Sequence, residues 1–118
     1  NIDWKQPLTI VEGPLDLIKT NDNATCLLGS TLTEDMMLFR KIVSNKTEVC
    51  LALDRDVHYK ASYIAKTLRQ YDVSVKIVDT SAYEDVGEMP IKFFQEKLLD
   101  AKTFHQDEFL LSKIRKYF

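Results

Sequence analysis

Four short apolar runs, each followed by a stretch with helical character, constrain the fold of this sequence more than any other feature. The runs cover residues 8–11, 24–28, 48–53 and 73–78. Strands that alternate with helices usually pair in parallel through right-handed crossovers. The third run is almost continuously apolar, as expected for a central strand that is covered on both faces. The order therefore predicts an α/β, Rossmann-like domain with a mostly parallel four-stranded sheet flanked by helices.

Local signals place the helices between and after these strands. Gly13 and Pro14 end the first strand and open a short helix over 15–20. Thr33 is the expected N-cap of the next helix, and an amphipathic helix is predicted over 59–71 with Tyr63, Ile64, Thr67 and Leu68 on one side. Pro90 opens a helix to about residue 102, and a last helix is predicted over about 106–117. Residues 90–118 would then form a helical extension.

The length of 118 residues fits one domain. The chain opens at Asn1 without an initiator Met, and we expect it to be part of a longer protein. The net charge of −2 argues against a dedicated basic nucleic-acid clamp. No apolar run approaches the ~20 residues of a membrane span, so we expect a cytoplasmic protein without a membrane partner. Cys26 and Cys50 lie in apolar runs and are expected to be buried thiols, a disulfide between adjacent strands being the alternative.

Acidic residues follow three of the four predicted strands. Glu12 follows the first, Asp54 and Asp56 follow the third, and Glu84 and Asp85 lie in the loop after the fourth. The carboxyl ends of parallel strands share one edge of the sheet, where ligands bind. Carboxylates that meet there repel one another unless a proton or a cation neutralises them. Oxygen ligands without His or Cys favour Mg²⁺ or Mn²⁺, so the pattern predicts a metal site for phosphoryl transfer.

Ordinary structural roles remain open for several of these residues. Asp56 alone could be the N-cap of the following helix, and Asp85 alone could be a solvated loop residue. Asp16 could orient the site or be an exposed helix residue. Arg55 and Lys60 could contact phosphate or be solvated cations. Gly13 is best explained by backbone geometry, through a tight turn or a close approach of phosphate.

Two motifs in these positions resemble the Toprim family of topoisomerases and primases. The first is Thr9-Ile10-Val11-Glu12-Gly13, and the second is Leu51-Ala52-Leu53-Asp54-Arg55-Asp56. The resemblance spans about residues 8–89. Glu12-Gly13-Pro14-Leu15-Asp16 resembles the primase form of the first motif, and the loop 80–89 resembles the acidic primase loop, with Asp85 and Glu88 at its acidic positions. The loop lacks the usual Pro, and Arg55 replaces a frequent Gly, as in a divergent, phage-type branch.

The resemblance implies the catalytic domain of a DNA primase, which makes RNA primers on single-stranded DNA. Asp54, Asp56 and Asp85 would hold one or two Mg²⁺ or Mn²⁺ ions, and Glu12 would be a general base or a further ligand. Expected partners are the DNA template, nucleoside triphosphates, a replicative helicase and other domains of the same chain, in a bacterial or phage-infected cell. Because primases of this type need a further domain, we expect the isolated fragment to be inactive.

Three alternatives share parts of this pattern. Toprim nucleases would use the same acids to activate water for strand cleavage. Receiver-type signalling domains are also doubly wound and hold Mg²⁺, but their acidic pair follows the first strand, where this chain has Glu12-Gly13. A Toprim fold that serves only as an interaction module is the third alternative.

Overall fold

The computed structural model describes residues 2–20, 23–29, 31–84 and 86–104, with His58 described by its backbone alone. The strands are β1 (Leu8–Val11), β2 (Ala24–Cys26), β3 (Val49–Ala52), β4 (Val75–Ile77) and β5 (Lys102–Thr103). The α-helices are α1 (Met37–Asn45), α2 (His58–Gln70) and α3 (Ile91–Leu99). Short 3₁₀ helices cover Pro14–Lys19, Arg55–Val57 and Val86–Glu88.

The strands form one mixed sheet in the order β2-β1-β3-β4-β5. The first four strands are parallel, so the predicted α/β class and mostly parallel sheet are confirmed. The predicted strand count of four was wrong, because β5 pairs antiparallel with β4. Residues 102–103 were expected to end a helix, but α3 stops at Leu99 and the chain turns back to the sheet. The helix predicted over 106–117 lies outside the described residues.

Apolar side chains cover both faces of the central strands. Every residue of β1 and of β3 is buried. Leu8 and Ile10 share one apolar cluster with Ile64 of α2 and Ile42 of α1. Val11 belongs to a second cluster, built around Phe94 of α3. This alternation follows from the two-residue period of a strand, and it explains why the central runs are continuously apolar.

The start of α1 differs from the prediction. Thr33 was expected to cap this helix, but α1 begins four residues later, with Met36 as its N-cap. The backbone N–H of Met36 donates to the carbonyl of Thr33 at 3.0 Å, and the Thr33 hydroxyl bonds to the Asp35 carboxylate. Thr33 therefore closes a turn before the helix rather than capping the helix itself.

Helix α2 buries one face and exposes two tyrosines on the other. Ala61, Ile64, Ala65 and Leu68 are its buried residues. Tyr63 was expected beside Ile64 and Leu68 on the apolar side, but its side chain is 60% exposed, and that of Tyr59 is 51% exposed. Tyr63 lies about 100° around the helix from Ile64, so it does not reach the sheet.

Two further sequence expectations concern the thiols and membranes. Cys26 in β2 and Cys50 in β3 are both free. Strand β1 lies between β2 and β3, so the two cysteines are not on adjacent strands and the disulfide alternative is wrong. Within residues 2–104, as far as they are described, no helix combines the length and apolarity needed to cross a membrane.

Candidate metal site at the carboxyl edge of the sheet

The first and third strands are neighbours, and this brings their acidic motifs to one edge. Strands β1 and β3 pair in parallel, with Val11 opposite Ala52. Glu12 follows Val11 directly, and Asp54 follows Ala52 by two residues. The two carboxylates therefore leave the same edge of the sheet from adjacent strands, which is where ligands bind in open α/β sheets.

Glu12 is held by a lysine from α2. Its Oε1 atom lies 2.7 Å from Nζ of Lys60, and both side chains are less than one-fifth exposed. Its other carboxylate oxygen, Oε2, is buried and has no hydrogen-bond partner. Buried polar atoms without a partner are rare in folded proteins and call for an explanation. Glu12 therefore has one neutralised oxygen and one oxygen that could accept a further ligand.

Asp54 fixes the loop that follows β4. Its Oδ1 atom accepts a hydrogen bond from the backbone N–H of Val86 at 3.0 Å. The carbonyl of Asp54 accepts from the N–H of Val57 at 3.0 Å, which starts the 3₁₀ turn before α2. Asp54 is partly buried. One side chain thus links the end of β3 to the loop that carries the third acidic motif.

Lys19 holds the same loop from the other side, a role that the sequence did not suggest. Its Nζ donates to the carbonyl oxygens of Val86 at 3.1 Å and Met89 at 2.6 Å, and also to that of Gly87. Three carbonyl oxygens match the three donors of an ammonium group. No sequence signal separates Lys19 from an ordinary surface cation, because its partners are 67 to 70 residues away along the chain.

Asp16 supports the turn after Glu12. Its side chain is buried, at 7% exposure, and its Oδ2 accepts from the backbone N–H of Gly13 at 3.1 Å. The alternative of an exposed helix residue is therefore wrong, and Asp16 orients the segment that carries Glu12. Gly13 was also expected to allow a tight turn through its backbone freedom. That expectation is wrong, because its φ of −129° suits any residue. A Cβ atom there would meet Asp16 at an ordinary 3.7 Å.

The remaining predicted residues are exposed, pair with another residue of the site, or lie outside the described residues. Asp56 is exposed, and the N-cap of α2 is Val57, so the capping alternative for Asp56 is wrong. Arg55 is half exposed and lies 3.7 Å from the carboxylate of the exposed Glu84. Glu88 is exposed in the 3₁₀ helix Val86–Glu88. Asp85 lies outside the described residues. Lys60, predicted as a weak phosphate contact, pairs with Glu12.

A cleft of about 840 Å³ opens beside Asp54, between the ends of β3 and β4. Leu51, Leu53 and Ile77 contribute apolar surface, Arg55, Lys97 and Lys102 contribute cationic groups, and Asp54, Asp79 and Asp100 contribute acidic ones. The hydroxyl of Thr80 donates to the carbonyl of Leu53 at 2.7 Å and ties the two strand ends together. A cleft with apolar walls and a few charged groups is the usual form of a small-molecule site.

The oxygen groups at this edge are of the chemical type that a hard divalent cation takes. Glu12 offers a buried, unpartnered oxygen and Asp54 offers a second carboxylate. Mg²⁺ commonly takes one or two protein carboxylates and completes its coordination with water and substrate phosphates. Among the residues with described positions, no group of three or more His, Cys, Asp or Glu is arranged to hold a metal. A site built here from Glu12 and Asp54 would be of the open, two-carboxylate kind.

Comparison with family models, with curated proteins and with solved structures gave no match to this chain. The resemblance to the Toprim family therefore rests on the two motifs quoted above and on their positions. The structure itself establishes an α/β protein with a mostly parallel, mixed five-stranded sheet flanked by helices.

Proposed function

We propose that this chain is a Toprim-type catalytic domain that binds Mg²⁺ or Mn²⁺ at the carboxyl edge of its sheet and acts as part of a DNA primase. The observation that carries the proposal is the position of Glu12 and Asp54 at the ends of adjacent parallel strands, with Oε2 of Glu12 buried and unpartnered. Both acids occupy the places where the Toprim motifs have theirs.

The acidic residues and Lys60 would each have a different role in the reaction. Glu12 would accept the proton of a primer 3′-hydroxyl, for which its oxygen must lie within about 3 Å of the hydroxyl. Asp54 and Asp56 would hold the metal, with Asp85 as a further ligand from the loop. Bound Mg²⁺ would neutralise charge on the phosphoryl oxygens. Lys60 would balance the charge of Glu12 before substrate enters.

The cleft beside Asp54 gives the proposal a place for a nucleotide. Arg55, Lys97 and Lys102 would meet a triphosphate only with a divalent cation to offset the acids Asp54, Asp79 and Asp100 of the same cleft. The apolar walls from Leu51 and Ile77 could cover a base. The proposed ligands are a single-stranded DNA template and nucleoside triphosphates. A helicase and further domains would hold most of the template. The proposed location is the cytoplasm.

The metal site is tested first, by Mn²⁺ binding followed by electron paramagnetic resonance. The wild-type chain is expected to bind Mn²⁺, and Glu12→Gln and Asp54→Asn are each expected to weaken binding by about tenfold or more. Glu84→Gln is the matched control, since this exposed acid lies after β4 but outside the proposed ligand set. Absence of Mn²⁺ binding to the wild type at millimolar metal would overturn the proposal.

The reaction class is tested second, on labelled single-stranded DNA with Mn²⁺ and nucleoside triphosphates. A longer protein that contained this domain would be expected to incorporate nucleotides, and the chain alone is expected to be inactive. Cleavage of the DNA by the chain alone, lost in Glu12→Gln, would replace the primase proposal with a nuclease. The test therefore separates two enzymes that would use the same carboxylates.

A further inference from the structure

The ion pair between Glu12 and Lys60 uses only part of the bonding capacity of each group. Nζ of Lys60 lies 2.7 Å from Oε1 of Glu12, while Oε2 is buried without a partner. Among the residues that the structure describes, this is the one polar contact of the Lys60 ammonium, which carries three donors. A shielded ion pair is stabilising only when further hydrogen bonds satisfy both groups. The pair is therefore poorly explained as a purely structural link between α2 and the sheet.

Lys60 occupies a place on α2 where the helix itself does not favour a cation. It is the third residue of this 13-residue helix and so lies in the first turn. The helix dipole favours anions at this end and cations at the other. Lys60 therefore depends on an anion from outside the helix, which Glu12 supplies. Its flexible four-carbon stem allows the ammonium to turn to a second anion nearby.

The charges of Glu12 and Lys60 cancel, and this affects any divalent cation that binds Glu12. A cation on Oε2 would share one carboxylate with the ammonium, and two positive groups so close together repel each other. A phosphate beside the pair would draw the ammonium away from Glu12 and remove this repulsion. Metal and phosphate would therefore each favour the binding of the other, by the same factor in both directions.

We propose that Lys60 exchanges partners when substrate binds. Its ammonium leaves Glu12 for a phosphate oxygen of the nucleotide, and Glu12 then offers both oxygens to the metal. Ala61, the next residue of α2, lines the cleft beside Asp54, so this turn of the helix borders the place proposed for the nucleotide. The metal and the nucleotide rest on the proposed function, whereas the half-satisfied ion pair is observed independently of it. Lys60 is thus a specificity-determining residue that selects metal with phosphate over metal alone.

The test compares the wild type with Lys60→Met in two titrations. In the first, electron paramagnetic resonance follows Mn²⁺ alone, and the variant is expected to bind Mn²⁺ about fivefold or more tightly, because the repelling ammonium is gone. In the second, ribose-labelled ATP is titrated by fluorescence at saturating Mn²⁺. Here the variant is expected to bind the nucleotide about tenfold more weakly, because a charged hydrogen bond to phosphate is lost. Opposite changes from one substitution are the signature of the exchange.

Two further variants serve as controls. Lys60→Arg keeps the positive charge and the capacity to bind phosphate, so both affinities should stay within about threefold of the wild type. Lys41→Met removes an exposed cation from α1 and should change neither affinity. Thermal unfolding is measured for each variant under the same conditions. Partial loss of the fold would weaken both titrations of Lys60→Met, and it cannot produce tighter binding of Mn²⁺.

The outcomes separate this inference from the proposed function. If the wild type binds Mn²⁺ but Lys60→Met binds it equally or more weakly, the metal site stands and the exchange is overturned. Unchanged affinity of Lys60→Met for the labelled nucleotide would also overturn the exchange, since Lys60 would then not contact phosphate. If the wild type binds no Mn²⁺ with or without nucleotide, the proposed function and the exchange both fall.

Discussion

The ammonium group of Lys60 lies 2.7 Å from Oε1 of Glu12, so a cation from the first turns of α2 neutralises the acid at the end of β1. The pair is mostly shielded from water, with side-chain exposures of 19% and 17%. A shielded carboxylate that loses its partner is destabilising, because its charge is then uncompensated. The pair would therefore make folding and the proposed metal binding interdependent at this edge of the sheet.

We expect Lys60→Met to reduce the free energy of unfolding by about 1 to 2 kcal/mol at neutral pH, less than for a fully buried pair. Added Mn²⁺ should restore more stability in this variant than in the wild type, because it would compensate the unpaired charge of Glu12. Urea unfolding with and without Mn²⁺ measures both effects. The double variant Glu12→Gln/Lys60→Met should lose less than the two single losses combined, and strict additivity would contradict the coupling.

Lys19→Met should loosen the loop Val86–Met89, since three backbone carbonyls each lose a charged donor. We expect a loss of about 2 kcal/mol in the free energy of unfolding, as for hydrogen bonds to a charged group. The amide of Val86, which donates to Asp54, should exchange its hydrogen faster. Lys41→Met on the exposed surface of α1 is the control. Unchanged exchange at Val86 would show that Lys19 does not hold the loop.

Burial raises the pKa of the Cys50 thiol above its ordinary value of 9.0. The reactive thiolate is therefore a small minority at pH 8, and only 8% of the residue is exposed. We expect iodoacetamide to modify Cys50 in the folded protein at least about tenfold more slowly than in urea. Peptide mass spectrometry gives the rate, and equal rates in the two conditions would contradict the buried position.

Hydrogen bonds from the hydroxyl and the backbone N–H of Ser81 lower the pKa of Asp79 below its ordinary value of 3.8. A lowered pKa in the folded state adds stability above the unfolded pKa, and this is lost as the pH falls through the folded pKa. Ser81→Ala should therefore cost about 0.5 kcal/mol or less at pH 6, because the pair is exposed. The difference from wild type should shrink as the pH falls below 3.8 and vanish once Asp79 is protonated in the folded protein, as measured by urea unfolding. A difference in stability that does not change with pH would contradict the role of the Ser81 hydroxyl in lowering the pKa of Asp79.

The sequence was sufficient where the physical cause is local or periodic. The fully buried β1 and β3 follow from unbroken apolar runs, and α2 follows from its amphipathic spacing. Strand β5 was missed because Lys102 and Thr103 carry no apolar signal, and their pairing depends on β4 across the sheet. Tyr63 was assigned to the wrong side because a residue one position from Ile64 differs by only 100° in a helix.

The candidate site was predictable only as far as strand order allowed. Acids at the ends of β1 and β3 meet at one edge because parallel neighbours share their carboxyl ends. The partners of those acids were not predictable. Lys60 reaches Glu12 across 48 residues of chain, and Val86 reaches Asp54 across 32. Such contacts depend on the crossing of helices and loops over the sheet, which no local pattern encodes.

The brevity of the outermost strands has a consequence for behaviour in solution. One border of the sheet is the three-residue β2, and the other is the two-residue β5 with the charged Lys102. Long, apolar edge strands can pair with strands of other molecules, whereas short or charged edge strands do so much less. The turn back after α3 thus shields Val75 and Ile77 of β4 from pairing with other molecules. We therefore expect concentrated samples of this protein not to form cross-β aggregates.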